Sequence, residues 1–204
     1  MSISQSMIIG AACLVWWRDA IVLEVQQPGK WRTDDRHELH IGIGGIGGGI
    51  EPGETAVAAL QREALEEMGC RIELRDVPIN YAVSPDCRVL EEKWRAPGIR
   101  PAFVWDGCLP GLVPGRKVAV FRGSASSAPT PGDLPALLHV TPEIMLAIGR
   151  SGMRLAEALR LGAVLHAQTT LPESAWLELV GTPAVVSLLH IQGEPLTAAW
   201  LEPA

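Results

Sequence analysis

No stretch of this 204-residue chain stays apolar for the roughly 18 residues a membrane-spanning helix needs, although apolar types make up 48% of it. The short apolar run near the N-terminus has no basic flank. Arg18 and Asp19 interrupt it, so it does not read as a signal peptide. Basic charge is scarce as well: 17 Lys and Arg against 23 Asp and Glu leave a net charge of -6. That sign argues against a surface that tracks nucleic acid, while a small nucleotide stays admissible. The four cysteines (Cys13, Cys70, Cys87 and Cys108) form no C-x-x-C pair. In a chain of this size they read as reduced thiols rather than staples. Internal repeats are absent, and the only compositional bias is a run of glycines. These absences lead to the expectation of a soluble, cytoplasmic, globular protein with neither a membrane nor a nucleic acid as partner.

What is present begins with two apolar runs over residues 7–25, broken by WRDA, which predict two strands and a tight connection. Residues 26–38 are polar with a Pro-Gly pair and read as a loop. Residues 39–54 (LHIGIGGIGGGIEPGE) are glycine-dense, a composition that lets backbone approach a ligand closely. The clearest helix follows. Thr55 can cap it and Gly69 can end it, and Val57, Leu60, Ala64 and Met68 form one apolar stripe. Residues 70–83 suggest strand and turn. Residues 84–115 read as a long loop with one strand at PAFVWD, and residues 117–125 as a strand. Thr141 and Pro142 start another helix, and residues 153–161 read as helical. Residues 163–204 resist assignment. Strands on both sides of a central helix predict a mixed α/β sandwich.

The central helix carries Glu63, Glu66 and Glu67 beside Arg62. Residues three and four apart share a helix face, so Glu63 adjoins both other glutamates, at a cost of roughly 0.2–0.5 kcal/mol per pair. Lysine is absent from the helix, and the expectation is that nothing else on that face offsets the repulsion. A divalent cation would reverse its sign, because carboxylate oxygens are the ligands that Mg²⁺ and Mn²⁺ prefer. The bland alternative is a solvated acidic face. The glycine-rich segment running straight into this helix favours a phosphate held through Mg²⁺.

The stretch Gly48 to Cys70, GGIEPGETAVAALQREALEEMGC, resembles the Nudix box. Its fixed positions fall on Gly48, Glu54, Arg62, Glu63, Glu66, Glu67 and Gly69, and every one is filled. Ala64 and Cys70 stand where larger aliphatics are usual, and Ile46 stands where many members carry proline. The resemblance implies a Nudix-like α/β/α sandwich with a mixed sheet, and hydrolysis of a nucleoside diphosphate linked to another moiety, with Mg²⁺ or Mn²⁺. Carried over by position, Glu66 and Glu67 would ligate metal. Glu63 would ligate it too or position the attacking water, Arg62 would hold a glutamate in place, and the carbonyl of Gly47 would be a further ligand. Glu54 would brace the junction of loop and helix.

Family members often recruit an acid from beyond the box, for which Glu91, Glu92 and Asp106 are candidates. Pro85 lies fifteen residues past the box, a spacing associated with ADP-ribose-type members, although Asp86 follows where glycine is usual. Trp94 and Trp105 could stack a base or be core. His37 and His40 could contact phosphate or be ordinary loop residues. A homodimer is compatible with the family. The expected division is a Nudix domain over residues 1–150 and a C-terminal segment, residues 151–204, packed on it. Two other readings stay open: a nucleotide-sensing regulatory module without turnover, and a diphosphate isomerase, which would need a reactive cysteine and extra metal-binding histidines.

Overall fold

The computed structural model describes residues 8–94, 97–107 and 115–203. Cys108 lies outside them. In chain order the first half holds β1 (Ile8–Trp17), β2 (Ala20–Val25), β3 (Arg32–Thr33), β4 (Leu39–Gly44), β5 (Ile46–Gly49) and helix α1 (Ala56–Met68). There follow β6 (Ile72–Arg75), β7 (Asn80–Val83), β8 (Val89–Glu92), β9 (Phe103–Asp106), β10 (Lys117–Ala125) and β11 (Ala136–Val140). The last third holds α2 (Pro142–Ser151), β12 (Met153–Arg154), α3 (Leu155–Arg160), β13 (Val164–Ala167), β14 (Trp176–Leu179), α4 (Gly181–Ile191) and α5 (Leu196–Trp200).

The strands make one mixed sheet whose main path runs β12-β14-β4-β2-β1-β10-β9-β7-β8. Its two faces follow from strand alternation. Leu14 and Trp16 of β1 join Ile21, Leu23, Ile41 and Ile43 in one buried cluster, together with residues of α2, α3, α4 and α5. Ala11, Cys13 and Val15 point the other way, to a second cluster built with Leu60, Ala64 and Met68 of α1. The protein is therefore a mixed α/β sandwich, with α1 on one face and the later helices on the other. No described helix is long and apolar enough to cross a membrane.

Two segments depart from the sequence expectation. The glycine-dense stretch forms strands β4 and β5 rather than an open loop, because its alternate Ile41, Ile43 and Ile46 are fully buried. The unassigned tail supplies β14, which pairs in parallel with β4 from Trp176↔His40 to Leu179↔Ile43. Helix α4 starts immediately beyond it. Gly149 of α2 approaches Ser187 of α4 so closely that a Cβ there would overlap the serine hydroxyl. This contact packs α4 against α2.

Candidate active site

Helix α1 forms as read. Thr55 accepts a hydrogen bond from the Ala58 N–H, and Gly69 ends the helix in the left-handed region at φ 67. The segment 130–133 then covers its C-terminal end: the N–H groups of Thr130, Gly132 and Asp133 donate to the carbonyls of Met68, Glu67 and Glu66. Carbonyls that a helix leaves without partners are thus satisfied. The backbone beneath Glu66 and Glu67 is pinned, and Asp133 is drawn toward them.

The acidic residues of the helix divide into two groups. Arg62 sits at the centre of the first. Its Nε donates to Glu54 Oε1 at 3.1 Å, Nη1 to Glu63 Oε1 at 2.8 Å and to Glu66 Oε2 at 3.1 Å, and Nη2 to Glu54 Oε2 and to the carbonyl of Gly49. One guanidinium fork holds three carboxylates and a strand end. The Arg62 pairing, followed by the Glu51 N–H, keeps the Glu54 carboxyl below its ordinary range. This corrects the expectation that nothing on the face offsets the clustered charge. The expected anchoring of a glutamate by Arg62 extends to three of them.

The second group is Glu67 and Glu24. Glu67 is 7% exposed and accepts a hydrogen bond at 2.9 Å from the Gly47 N–H. Glu24, on β2, shares the α1 face with Val22 by strand alternation, and its carboxyl faces that of Glu67. Burial, and then the charge of Glu24, push the Glu67 carboxyl up to about 9. Burial likewise raises Glu24. Glu63 and Asp133 add to the local negative charge. None of the hydrogen bonds found among the described residues brings an arginine or lysine to either carboxyl. A buried carboxyl facing a half-buried one cannot ionise cheaply beside it, which favours a retained proton on the pair.

The glycines explain how these side chains fit. A Cβ on Gly44 would overlap the Glu24 carboxyl, and one on Gly48 would overlap that of Glu63. Gly47 has φ 143, and a Cβ there would strike the Ala11 carbonyl. The glycine run therefore makes room for acids, and at Gly47 it turns an N–H toward Glu67.

A cleft of about 420 Å³ opens where β4 and β5 separate. Its floor is glycine, from Gly10, Gly44, Gly45, Gly47, Gly48 and Gly49, and Glu24 reaches into it. Trp105, Val118 and the start of α4 form its walls. A larger hollow of about 620 Å³ beside Trp94 is lined by Glu54, whereas the first is lined by Glu24 of the less compensated pair.

Several candidates from the sequence stand elsewhere. Glu91 and Glu92 lie on β8, the last strand on that side of the sheet, and Asp106 accepts from the Gly115 N–H. None of the three lines the cleft. His40 is held between Glu178 at 2.7 Å and Asp34 at 3.4 Å, and is not free for a ligand. His37 closes the turn at Asp34. Pro85 lies in the turn between β7 and β8, where Asp86 binds Ser84 and Arg88. Trp105 is buried, as the core reading has it, yet still lines the cleft. Cys13 is buried and its thiol is pushed far up by desolvation, the opposite of a reactive thiolate. Glu24 escaped the sequence reading, since VLEV resembles any strand with one outward polar residue.

Among the described residues no three carboxylate, imidazole or thiol groups converge as a ready-made metal cage. The donor set still suits a hard divalent cation: all oxygen, acidic, and with one carboxyl pair to which no described arginine or lysine hydrogen-bonds. Residues 8–104 match the family model for the NUDIX domain. That match covers just under half of the chain. A search of curated protein sequences finds no match. Similar solved structures include a Nudix hydrolase from Nitrosomonas europaea at 17% identity, covering 66% of this chain and 57% of that one with a TM-score of 0.37. The E. coli ORF135 protein matches at 18% identity over 72% of this chain and 83% of its own, TM-score 0.40. A Nudix-family hydrolase from Clostridium perfringens matches at 16% over 70% and 85%, TM-score 0.44. The chain thus spans little more than half the length of the Nitrosomonas structure.

Proposed function

We propose that this protein is a metal-dependent pyrophosphohydrolase of the Nudix family that cleaves a nucleoside diphosphate linked to another moiety. The observation that carries the reading is the facing Glu24–Glu67 pair, Glu67 buried and Glu24 half-buried. Glu24 lines the glycine-floored cleft, and the pair lies beside an Arg62-braced set of glutamates. Mg²⁺ or Mn²⁺ would be held by Glu67 and Glu24, by Glu63 and Glu66 on release from Arg62, and by the carbonyl of Gly47. Such an ion neutralises phosphoryl oxygens and brings a water's pKa toward neutrality.

The residues themselves do the remaining work. Gly47 orients the Glu67 carboxylate through its N–H. Arg62 stores Glu63 and Glu66 in place, so that they are presented without a search through rotamers. One carboxyl of the facing pair, once its proton has left, can accept another from the attacking water. The glycine floor lets a phosphate chain approach the backbone closely. Within the substrate class, ADP-ribose and nucleotide sugars are the first choice, on the position of Pro85.

A product assay over ADP-ribose, nucleotide sugars, dinucleoside polyphosphates, NADH, coenzyme A and nucleoside triphosphates, with Mg²⁺ and with Mn²⁺, tests the reading. Metal-dependent cleavage of a diphosphate linkage is the expected result. Tight binding of one compound without turnover would instead establish the sensing module.

A further inference from the structure

The cleft that contains Glu24 has a second polar end, and it is made by the C-terminal part of the chain. Helix α4 spans 11 residues and has no side-chain cap at its N-cap residue, Val180. The Val180 N–H is spent on the Ile43 carbonyl at 2.9 Å, which anchors the helix start at the end of the parallel strands β4 and β14. The first-turn N–H groups of a helix have no partner inside it, and they carry the positive end of its dipole. Pro183 contributes no N–H, which leaves Gly181 and Thr182, and both line the cleft.

Two further groups wait at the same place. Thr182 is 3% exposed, and its hydroxyl has no hydrogen-bond partner among the described residues. Trp105 is 5% exposed, lines the same cleft, and its indole N–H is also unpartnered. Buried polar groups are nearly always satisfied, so two orphans around one cleft call for a ligand. An indole N–H can only donate. Among the described residues no lysine or arginine lines the cleft, and Glu24 is the one ionisable side chain that does. The lining at this end is therefore donors without charge, at a helix N-terminus, an arrangement that suits a phosphate oxygen.

We propose that the first turn of α4, with Thr182 and Trp105, seats the phosphoryl group of the substrate that lies away from the Glu24–Glu67 end. The assignment rests on the pyrophosphohydrolase reading and deepens it. A diphosphate would then be neutralised at two ends, by the metal at one and by helix amides at the other. The C-terminal segment becomes a part of the substrate site.

The backbone at Gly181 offers a clean test. Its φ is 58, and a Cβ there would meet nothing within 4 Å. Gly181→Asp and Gly181→Asn carry the same backbone strain and nearly the same shape. They differ in charge at the helix N-terminus, where Asp favours the helix and repels an anion. Methylenediphosphonate, which cannot be hydrolysed at its bridge, is titrated calorimetrically with Mn²⁺ present. Mn²⁺ binding is followed separately by electron paramagnetic resonance. The expected result is an at least tenfold weaker diphosphonate affinity in Gly181→Asp than in Gly181→Asn, with Mn²⁺ affinity equal in both. Thr182→Val is expected to weaken diphosphonate about three- to tenfold. Equal diphosphonate affinity in the Asp and Asn variants overturns the subsite, as does Mn²⁺ binding without any diphosphonate binding. If the protein binds no Mn²⁺, the metal reading fails on its own. The Asp and Asn variants, titrated without metal, then still decide the subsite.

Discussion

Glu66 and Glu67 are neighbours on one helix, yet they inhabit different electrostatic worlds. Glu66, with Glu63 and Glu54, shares the Arg62 guanidinium near solvent. Glu67 is turned inward against Glu24 and the Gly47 amide, with no cation at hand. The same residue type is balanced in one place and left unbalanced in the other. A helix surface that needed only solubility would have no reason for the second arrangement, since an unpaired buried charge is costly. The difference teaches that the compensated group is scaffolding held ready. On the proposed metal-dependent reading, the other pair is where the cation would sit.

The largest effect should come from the unbalanced side. Glu67→Gln keeps the shape and the acceptor for the Gly47 N–H, but it removes the charge. Turnover is expected to fall by about 10²–10⁴-fold, measured as kcat on the best substrate of the panel, with a thermal melt to verify the fold. Activity near that of the parent protein would refute the division drawn above. Breaking the balanced side should cost less. Arg62→Ala frees Glu54, Glu63 and Glu66 at once, and a loss of about 10–100-fold in kcat/KM is expected from a residue that acts through others. Arg62→Lys should recover only part of it, because an ammonium cannot reproduce the guanidinium fork. Full recovery would show that charge alone matters there.

Glu24→Gln sharpens the comparison, because it should move stability and metal binding in opposite directions. Removing one of two facing carboxyls relieves repulsion, so the melting temperature in EDTA should rise. A gain of 1 kcal/mol would appear as about 2–4 °C in a chain of this size. Affinity for Mn²⁺ should drop by about 10–100-fold in the same variant. A lower melting temperature in EDTA would mean that the pair is stabilising and the reading of it wrong.

The smallest effect expected is on the pH dependence of stability. The Glu67 pKa is raised in the fold from an ordinary 4.5 to about 9. Between those values the folded protein binds more protons than the unfolded chain, so stability falls as pH rises. The contribution is fully present below about 4.5 and is lost by about 9. Denaturation series in EDTA across this window should show the decline, and Glu67→Gln should flatten it. Saturating Mn²⁺ should flatten it too, since the metal takes the place of the proton.

Much of this was legible in the residues. Thr55, the stripe of Leu60, Ala64 and Met68, and Gly69 specify α1 without help from the rest of the fold. Arg62 and Glu66 stand four apart, so their pairing follows from helix geometry. What could not be read depends on strands meeting across the sheet. Glu24 becomes a site residue only because β2 pairs with β4, which places Gly44 opposite it. Gly44 has no side chain to occupy the space. The run GTPAVVSLLHI of α4 is apolar nearly all round, with Val185, Val186 and Leu189 buried and no capping side chain, so it lacks the periodic stripe that marks a surface helix. Strand β11 escaped notice because Leu137 faces one core and Leu138 the other, which gives a continuous apolar run instead of alternation.

The central claim is that Glu24 and Glu67 hold a proton where a divalent cation belongs. The most direct measurement is calorimetry of Mn²⁺ binding at pH 7 in two buffers with different ionisation enthalpies, which counts protons released on binding. About one proton is expected to leave per ion bound, because the ligands must be deprotonated, and that release should vanish in Glu67→Gln. Binding of Mn²⁺ with no proton released at pH 7 would mean that the pair is already ionised, or is not the metal site.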